Sequence, residues 1–146
     1  MGQYIFILII SMIPIIELRG AIPIGVSMGL NPLIVYIVSV IGSTIVSLPL
    51  VLTFKFILNK LSEMRYFSNF ANKLNSIIQK KIDKLKYANF FGIVLFVGVP
   101  LPTTGSWSAS AISSLLNIRL KTAISGVFIG NLIAGIIMLL PSLSIA

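Results

Sequence analysis

Cysteine and histidine are both absent from this chain of 146 residues. Without thiols there can be no disulfide, no thiolate nucleophile and no zinc–thiolate site. Without imidazole the usual proton shuttle, metal ligand and general base is missing. Acids are nearly absent as well: Glu17, Glu63 and Asp83 are the three. One chain cannot build a catalytic triad or a carboxylate-rich metal cage from that inventory. Enzymatic activity is therefore not expected, and neither is a metal or a cofactor. Charged residues make up 10 % of the chain and hydrophobic ones 57 %, with a mean hydropathy of +1.07. That balance belongs to an integral membrane protein, not a soluble domain.

The formal net charge is +8, which raises nucleic acid as a partner. The distribution speaks against it. Eight of the eleven Lys and Arg lie between Lys55 and Lys86, in the one long polar stretch, and Arg119 and Lys121 stand just before the last apolar run. Basic residues flanking membrane spans follow the positive-inside bias, and no base-stacking motif accompanies them. The N-terminal apolar stretch has no preceding Lys or Arg and no small-residue cleavage pattern after it, so it reads as structure and not as a signal peptide.

Two polar islands interrupt the apolar sequence: Glu17-Leu18-Arg19-Gly20-Ala21-Ile22-Pro23 and Pro100-Leu101-Pro102-Thr103-Thr104-Gly105-Ser106-Trp107. The arms beside the first, residues 4–16 and 21–30, would reach only about 20 and 15 Å as helices, against a hydrocarbon core of about 30 Å. The arms beside the second, residues 90–99 and 106–116, are as short. Such pairs predict re-entrant helical hairpins that dip into the membrane and return. Irregular backbone at that depth must be buried in protein or line a wet cavity. Each hairpin is followed by a break, Asn31-Pro32 or Asn117-Ile118-Arg119, and then by a run long enough to span, residues 33–54 and 122–140.

The expected fold is all-α and membrane-embedded, a single domain over residues 1–146 with two repeats, 1–56 and 89–146, joined by a basic amphipathic linker helix over 57–88. Each repeat crosses the membrane once, so the second is inverted relative to the first, a recurrent transporter plan. All Lys and Arg except Arg19 then fall on one face, which the charge bias makes cytoplasmic. In the linker, Leu74, Ile78, Ile82 and Leu85 recur at helical spacing between Lys73, Lys80, Lys81, Lys84 and Lys86. That pattern suits a helix lying on anionic lipid. Ser39, Ser43 and Ser47, with Gly42, and Gly126 with Gly130 form small-residue ladders for close helix packing.

Chemistry concentrates at the tips. A charge at the bilayer centre costs about 2.5–3.5 kcal/mol on insertion scales, so Glu17 and Arg19 must pair or line a pathway. One reading is an ion pair between them that holds the turn. The other makes Glu17 the site of a coupling proton or sodium ion and Arg19, which never loses its charge, a seat for phosphate or carboxylate. Pro23 suits a first helical turn, and Thr103, Thr104 or Ser106 can cap the other returning arm. Both helix N-termini would then present free N–H groups to an anion. Pro100 and Pro102 stop the entering helix, Gly20 and Gly105 belong to the turns, Trp107 can stack on substrate or fill the interface, and Asn131 can hydrogen-bond a tip.

The two islands resemble the small multidrug export protein family, a bacterial membrane group distantly related to the DedA-like superfamily. Glu17-Leu18-Arg19-Gly20-Ala21-Ile22-Pro23 with Gly29-Leu30-Asn31-Pro32 is similar to that family's first hairpin, and Pro100-Leu101-Pro102 with Thr104-Gly105 and Trp107 to its second. Thr103 stands where the family's Gly is expected, Ser108-Ala109 replaces its Thr-Gly, and the wider superfamily's second-hairpin arginine has no counterpart here. The resemblance implies a bacterial cytoplasmic membrane protein. The family name implies drug export, and the superfamily implies movement of lipids such as polyprenyl phosphates, coupled to protons or sodium. A homodimer is expected, because two spans cannot shield four hairpin arms from lipid. A passive channel and a non-transporting assembly factor are the alternatives.

Overall fold

A computed structural model describes residues 1–64, 68–79 and 82–144 of the chain. Seven α-helices make up the described residues: α1 Gly2–Met12, α2 Glu17–Ser27, α3 Pro32–Ser62, α4 Ser68–Gln79, α5 Ile82–Gly98, α6 Ser106–Leu115 and α7 Leu120–Leu143. Two are long and apolar enough to cross a membrane. These are α3 with mean hydropathy 2.2 and α7 with 2.3 in their apolar windows, about 46 and 36 Å long at 1.5 Å per residue.

Helix boundaries follow local chemistry, with three departures from expectation. The first apolar arm ends at Met12, not at residue 16, because Pro14 follows. Ile13 precedes that proline and is extended, ψ 134°, as the clash with a proline ring requires. In consequence α2 starts at Glu17 and runs through the whole first island, so Pro23 lies in its interior and not in its first turn. The third departure concerns the linker. No Gly or Pro falls between Pro49 and Met64, so α3 continues past its apolar stretch to Ser62, and the expected single helix over 57–88 is interrupted at Glu63 and Met64, where α3 has ended. Lys73 is exposed; the register of Leu74, Ile78, Ile82 and Leu85 against Lys80, Lys81, Lys84 and Lys86 lies outside the described residues.

Two reverse turns send α2 into α3 and α6 into α7. Gly29 takes φ +73° and Asn117 φ +52°, the left-handed conformation that those two residue types tolerate best after a helix. Leu30 N–H donates back to the Gly25 carbonyl at 3.2 Å, and Ile118 N–H to Ser113 at 2.8 Å. Asn31 then caps α3, its Oδ1 accepting from Leu33 N at 3.0 Å and Ile34 N at 3.4 Å.

The helices form one bundle. α1, α2 and α3 pack together and against α7, around Ile7, Leu18, Ile22, Val26 and Val35. α5 leans on α7 and α6 on α3, around Val51, Ile93, Val97 and Val127, and α5 and α6 touch each other little. Lys55 Nζ donates to the Ile118 carbonyl at 2.8 Å, which puts the C-terminal end of α3 beside the start of α7. Lys55, Arg119 and Lys121 therefore share one end of the bundle.

The distribution of polarity is inside-out for a soluble protein. Buried positions include Glu17, Ser39, Ser43, Ser47, Ser106, Ser110, Ser113 and Asn131, while Ile37, Ile41, Ile45, Leu48 and Leu52 of α3 and Ile133, Ile136, Ile137 and Leu140 of α7 face outward. A contiguous apolar exterior of that extent is untenable in water and natural in lipid. With two candidate spans, the chain is a membrane protein.

Gly126 and Gly130 let α5 press onto α7. A Cβ on Gly130 would lie 2.6 Å from Val97 Cβ and 3.1 Å from the Val94 carbonyl oxygen, whereas one on Gly92 would meet nothing within 4 Å. Gly130→Ala should destabilise the protein by about 1–3 kcal/mol through overpacking, and Gly92→Ala should be neutral or gain about 0.5–1 kcal/mol from helix propensity. Thermal unfolding in detergent measures both, and equal responses would contradict this packing.

Candidate functional site

The turn before α2 and the turn before α6 meet. Glu17 opens α2 with φ +47°, a left-handed conformation that costs an ordinary residue about 1–3 kcal/mol and persists only where the surroundings hold it. Its carboxylate is buried, 6 % exposed, and Oε1 accepts from the Trp107 backbone N–H at 3.2 Å. Trp107 is the second residue of α6, so a carboxylate from the first tip caps the second tip's helix. The expected local cap is absent: α6 is preceded by Gly105, with no side-chain cap bond of its own. Gly105 is required by this approach, since a Cβ there would collide with the Glu17 carboxylate, whose Cδ lies 2.6 Å away. Its extended backbone would suit any residue.

Arg19 crosses in the same direction. Its guanidinium donates through Nη1 to the Leu101 carbonyl and through Nη2 to the carbonyls of Val97 at 3.2 Å and Val99 at 3.4 Å and to Thr104 Oγ1 at 3.2 Å. Those carbonyls lie in the last turn of α5 and just beyond it, where a helix runs out of internal donors and a cation complements the negative end of its dipole. Thr104 reinforces the turn, donating from Oγ1 to the Val99 carbonyl at 2.8 Å. Trp107 returns the contact, its indole Nε1 donating at 3.0 Å to the carbonyl of Met12, the last residue of α1. The side-chain hydrogen bonds of Glu17 and Arg19 go to the other tip and not to each other. The indole is likewise engaged with backbone.

Behind the tips lies a hydroxyl-rich seam. Ser106 Oγ sits 3.1–3.2 Å from the Asn131 side-chain amide, whose Nδ2 also donates to Thr44 Oγ1 at 3.1 Å. Asn131 is midway along α7, and Thr44 lies near the middle of α3, so the tips stand level with the centres of both long helices. Along α6, Ser110 Oγ donates to the Ser106 carbonyl at 2.5 Å and Ser114 Oγ to the Val51 carbonyl at 2.9 Å. On the other side of α3, Ser43 Oγ donates to the Ser11 carbonyl at 2.8 Å.

Of the residues singled out in the sequence, the fold brings together Glu17, Arg19, Thr104, Gly105 and Trp107, with Asn131 one hydrogen bond behind them. Gly20 lies inside α2 and not in the turn expected for it, and a Cβ there would come 2.6 Å from Ile16 Cγ2. Pro23 is half-buried inside α2, Pro100 is half-buried, and Pro102 and Thr103 lie exposed in the second turn. Sequence reasoning passed over Thr44 and the ladder Ser106, Ser110, Ser114. That ladder carries the same four-residue spacing as Ser39, Ser43, Ser47 and was open to the same reading.

Arg19→Ala would remove the donor of the Val97 carbonyl, while the Val99 and Leu101 carbonyls keep donors within their own turn, and should cost about 1–3 kcal/mol of stability. Arg19→Lys should recover only part of it, because one ammonium cannot reproduce the fork of a guanidinium. Unfolding in detergent reads both, and full recovery by lysine would refute the bridging role.

A family model described as "Putative small multi-drug export protein" matches residues 17–137. The match starts at Glu17 and takes in α2, α3, the second tip and most of α7, leaving out α1, the turn before α2 and the last turns of α7. No curated protein and no solved structure matches the chain. With residues 17–137 of 146 covered, including every residue that joins one tip to the other save Met12, the chain belongs to the small multi-drug export protein family of membrane proteins.

Proposed function

We propose that the protein is a small secondary transporter for an amphipathic molecule, an anionic lipid first among them, coupled to protons through Glu17. The observation that carries this reading is the position of the Glu17 carboxylate on the N-terminus of α6. That terminus, with its free N–H groups and partial positive charge, is a ready seat for an anion. Glu17 holds it while ionised. Once protonated, its carboxyl no longer complements the dipole, and an anionic headgroup can take its place. Arg19 can then turn from the carbonyls at the end of α5 to the same headgroup. Loss of the proton restores the tip contact and expels the anion, so proton and substrate exchange at one place.

In this reading the tips are re-entrant and meet near the membrane midplane, and α1–α3 and α5–α7 are the two inverted repeats. Their support is the level of the tips against the centres of α3 and α7, and the matched turns at Gly29 and Asn117. The basic end of the bundle is cytoplasmic by the charge bias. The working form is a homodimer. Ile15 is 93 % exposed and Leu101 53 %, and irregular backbone at that depth needs protein or a wet cavity over it. A second copy supplies that cover.

Reconstitution in liposomes tests the reading. Wild-type protein should give saturable transport that follows an imposed pH gradient. Glu17→Gln should lower the rate at least tenfold and abolish the gradient dependence. Unchanged transport by Glu17→Gln would refute the coupling role, and non-saturating flux indifferent to the gradient would indicate a channel. The family description favours a second reading, export of drug-like molecules. Saturable movement of a lipophilic dye with none of an anionic lipid would decide for it. No flux of any kind would leave the assembly-factor reading.

A further inference from the structure

We propose that the groove between α5 and α6 seats one acyl chain of an anionic phospholipid, with the headgroup at the end marked by Lys55. As a seat for substrate this rests on the transporter reading above; as a lipid site it stands apart from it. The groove encloses about 190 Å³ and is walled by Gly92, Ile93, Phe96, Ala109, Ile112 and Leu116, which offer no side-chain polar atom. A water cluster needs polar partners and has none along those walls. A hydrocarbon chain needs none, and in a membrane it is the surrounding solvent.

The opening follows from the packing. α5 leans on α7 and α6 on α3, so the two helices part where they would otherwise meet. Gly92 marks the difference. Gly126 and Gly130 are spaces filled by a neighbouring helix, but a Cβ on Gly92 would meet nothing within 4 Å.

Polarity is confined to one end. Asn89 and Ile118 close the groove there, and the Ile118 carbonyl accepts from Lys55 Nζ at 2.8 Å. An ammonium has three donors, and the carbonyl takes one. Arg119 and Lys121 follow immediately in sequence and are exposed. The other end, at Phe96 and Ala109, adjoins Val97, whose carbonyl receives Arg19. A tail in the groove would thus place a phosphate among cations, with the tip cluster at its far end.

Native mass spectrometry of the full chain, released from nanodiscs of equimolar phosphatidylglycerol and phosphatidylcholine, tests this. Wild-type protein should retain phosphatidylglycerol at least threefold over phosphatidylcholine, and excess inorganic phosphate should not displace it. Gly92→Phe should fill the groove and lose both lipids, with Ile112→Trp as a second filling variant should the first fail to fold. Lys55→Gln should keep lipid but lose the headgroup preference. Wild-type retention by folded Gly92→Phe and Ile112→Trp would overturn the site. So would quantitative oxidative cross-linking of Gly92→Cys to a second copy, since the chain has no other cysteine. Groove variants that lose lipid yet transport normally would remove the groove from the substrate route. Lipid bound as expected by a protein without transport would support the site and sink the transporter reading instead.

Discussion

The turns between α1 and α2 and between α5 and α6 leave helix ends whose backbone donors and acceptors have no intrahelical partner, and the rest of this structure is arranged around that constraint. Three side chains meet it, each reaching from one tip to the other. Glu17 accepts from the N-terminus of α6, Arg19 serves the carbonyls at the end of α5, and Trp107 donates to the end of α1. The signs agree with the helix dipoles, carboxylate to the positive end and guanidinium to the negative one. Local capping would have made each hairpin self-sufficient. Capping across the gap makes each depend on the other, so neither tip can move without unpairing the partner's backbone.

The bundle interior extends the same logic with weaker contacts. Serine hydroxyls on α3 and α6 donate to carbonyls of their own and neighbouring helices, and Asn131 ties α7 to both α3 and the second tip. In membrane bundles such bonds average only about 0.6 kcal/mol each, so their number and placement matter more than any one of them. Small side chains do a second service by letting backbones approach: Gly42 faces Ser11 and Leu8, and Gly130 faces Val97. A polar, closely packed interior and an apolar exterior are what lipid as a solvent selects.

A contact that is needed for stability and also titratable is well placed to be a switch. The carboxylate holding α6 can be neutralised without changing its shape, which removes the charge complement and leaves the groove and the tips sterically intact. A guanidinium cannot be neutralised, so Arg19 can only exchange one set of acceptors for another. In the proposed mechanism that asymmetry divides the labour: one residue senses protons and the other keeps hold of negative partners.

The membrane setting, the helical class and the residues at the tips were legible in the sequence because they follow from hydropathy and from short-range rules. Asn31-Pro32 and Gly29 specify a cap and a turn from their own chemistry, and the short arms α1, α2 and α6 announce themselves by length, whereas the arm expected over 90–99 is the end of the 17-residue α5. Pro14 carried a boundary signal of equal strength, and with it the start of α2 and the interior place of Pro23. What no local rule could supply was the choice of partners. Glu17 and Arg19 are two residues apart and invite pairing, yet each bonds about eighty to ninety residues away, because only the folded bundle brings the orphan ends of α5 and α6 within reach. The opening between α5 and α6 is of the same kind: it arises from which long helix each prefers, and sequence spacing along either helix does not encode that preference.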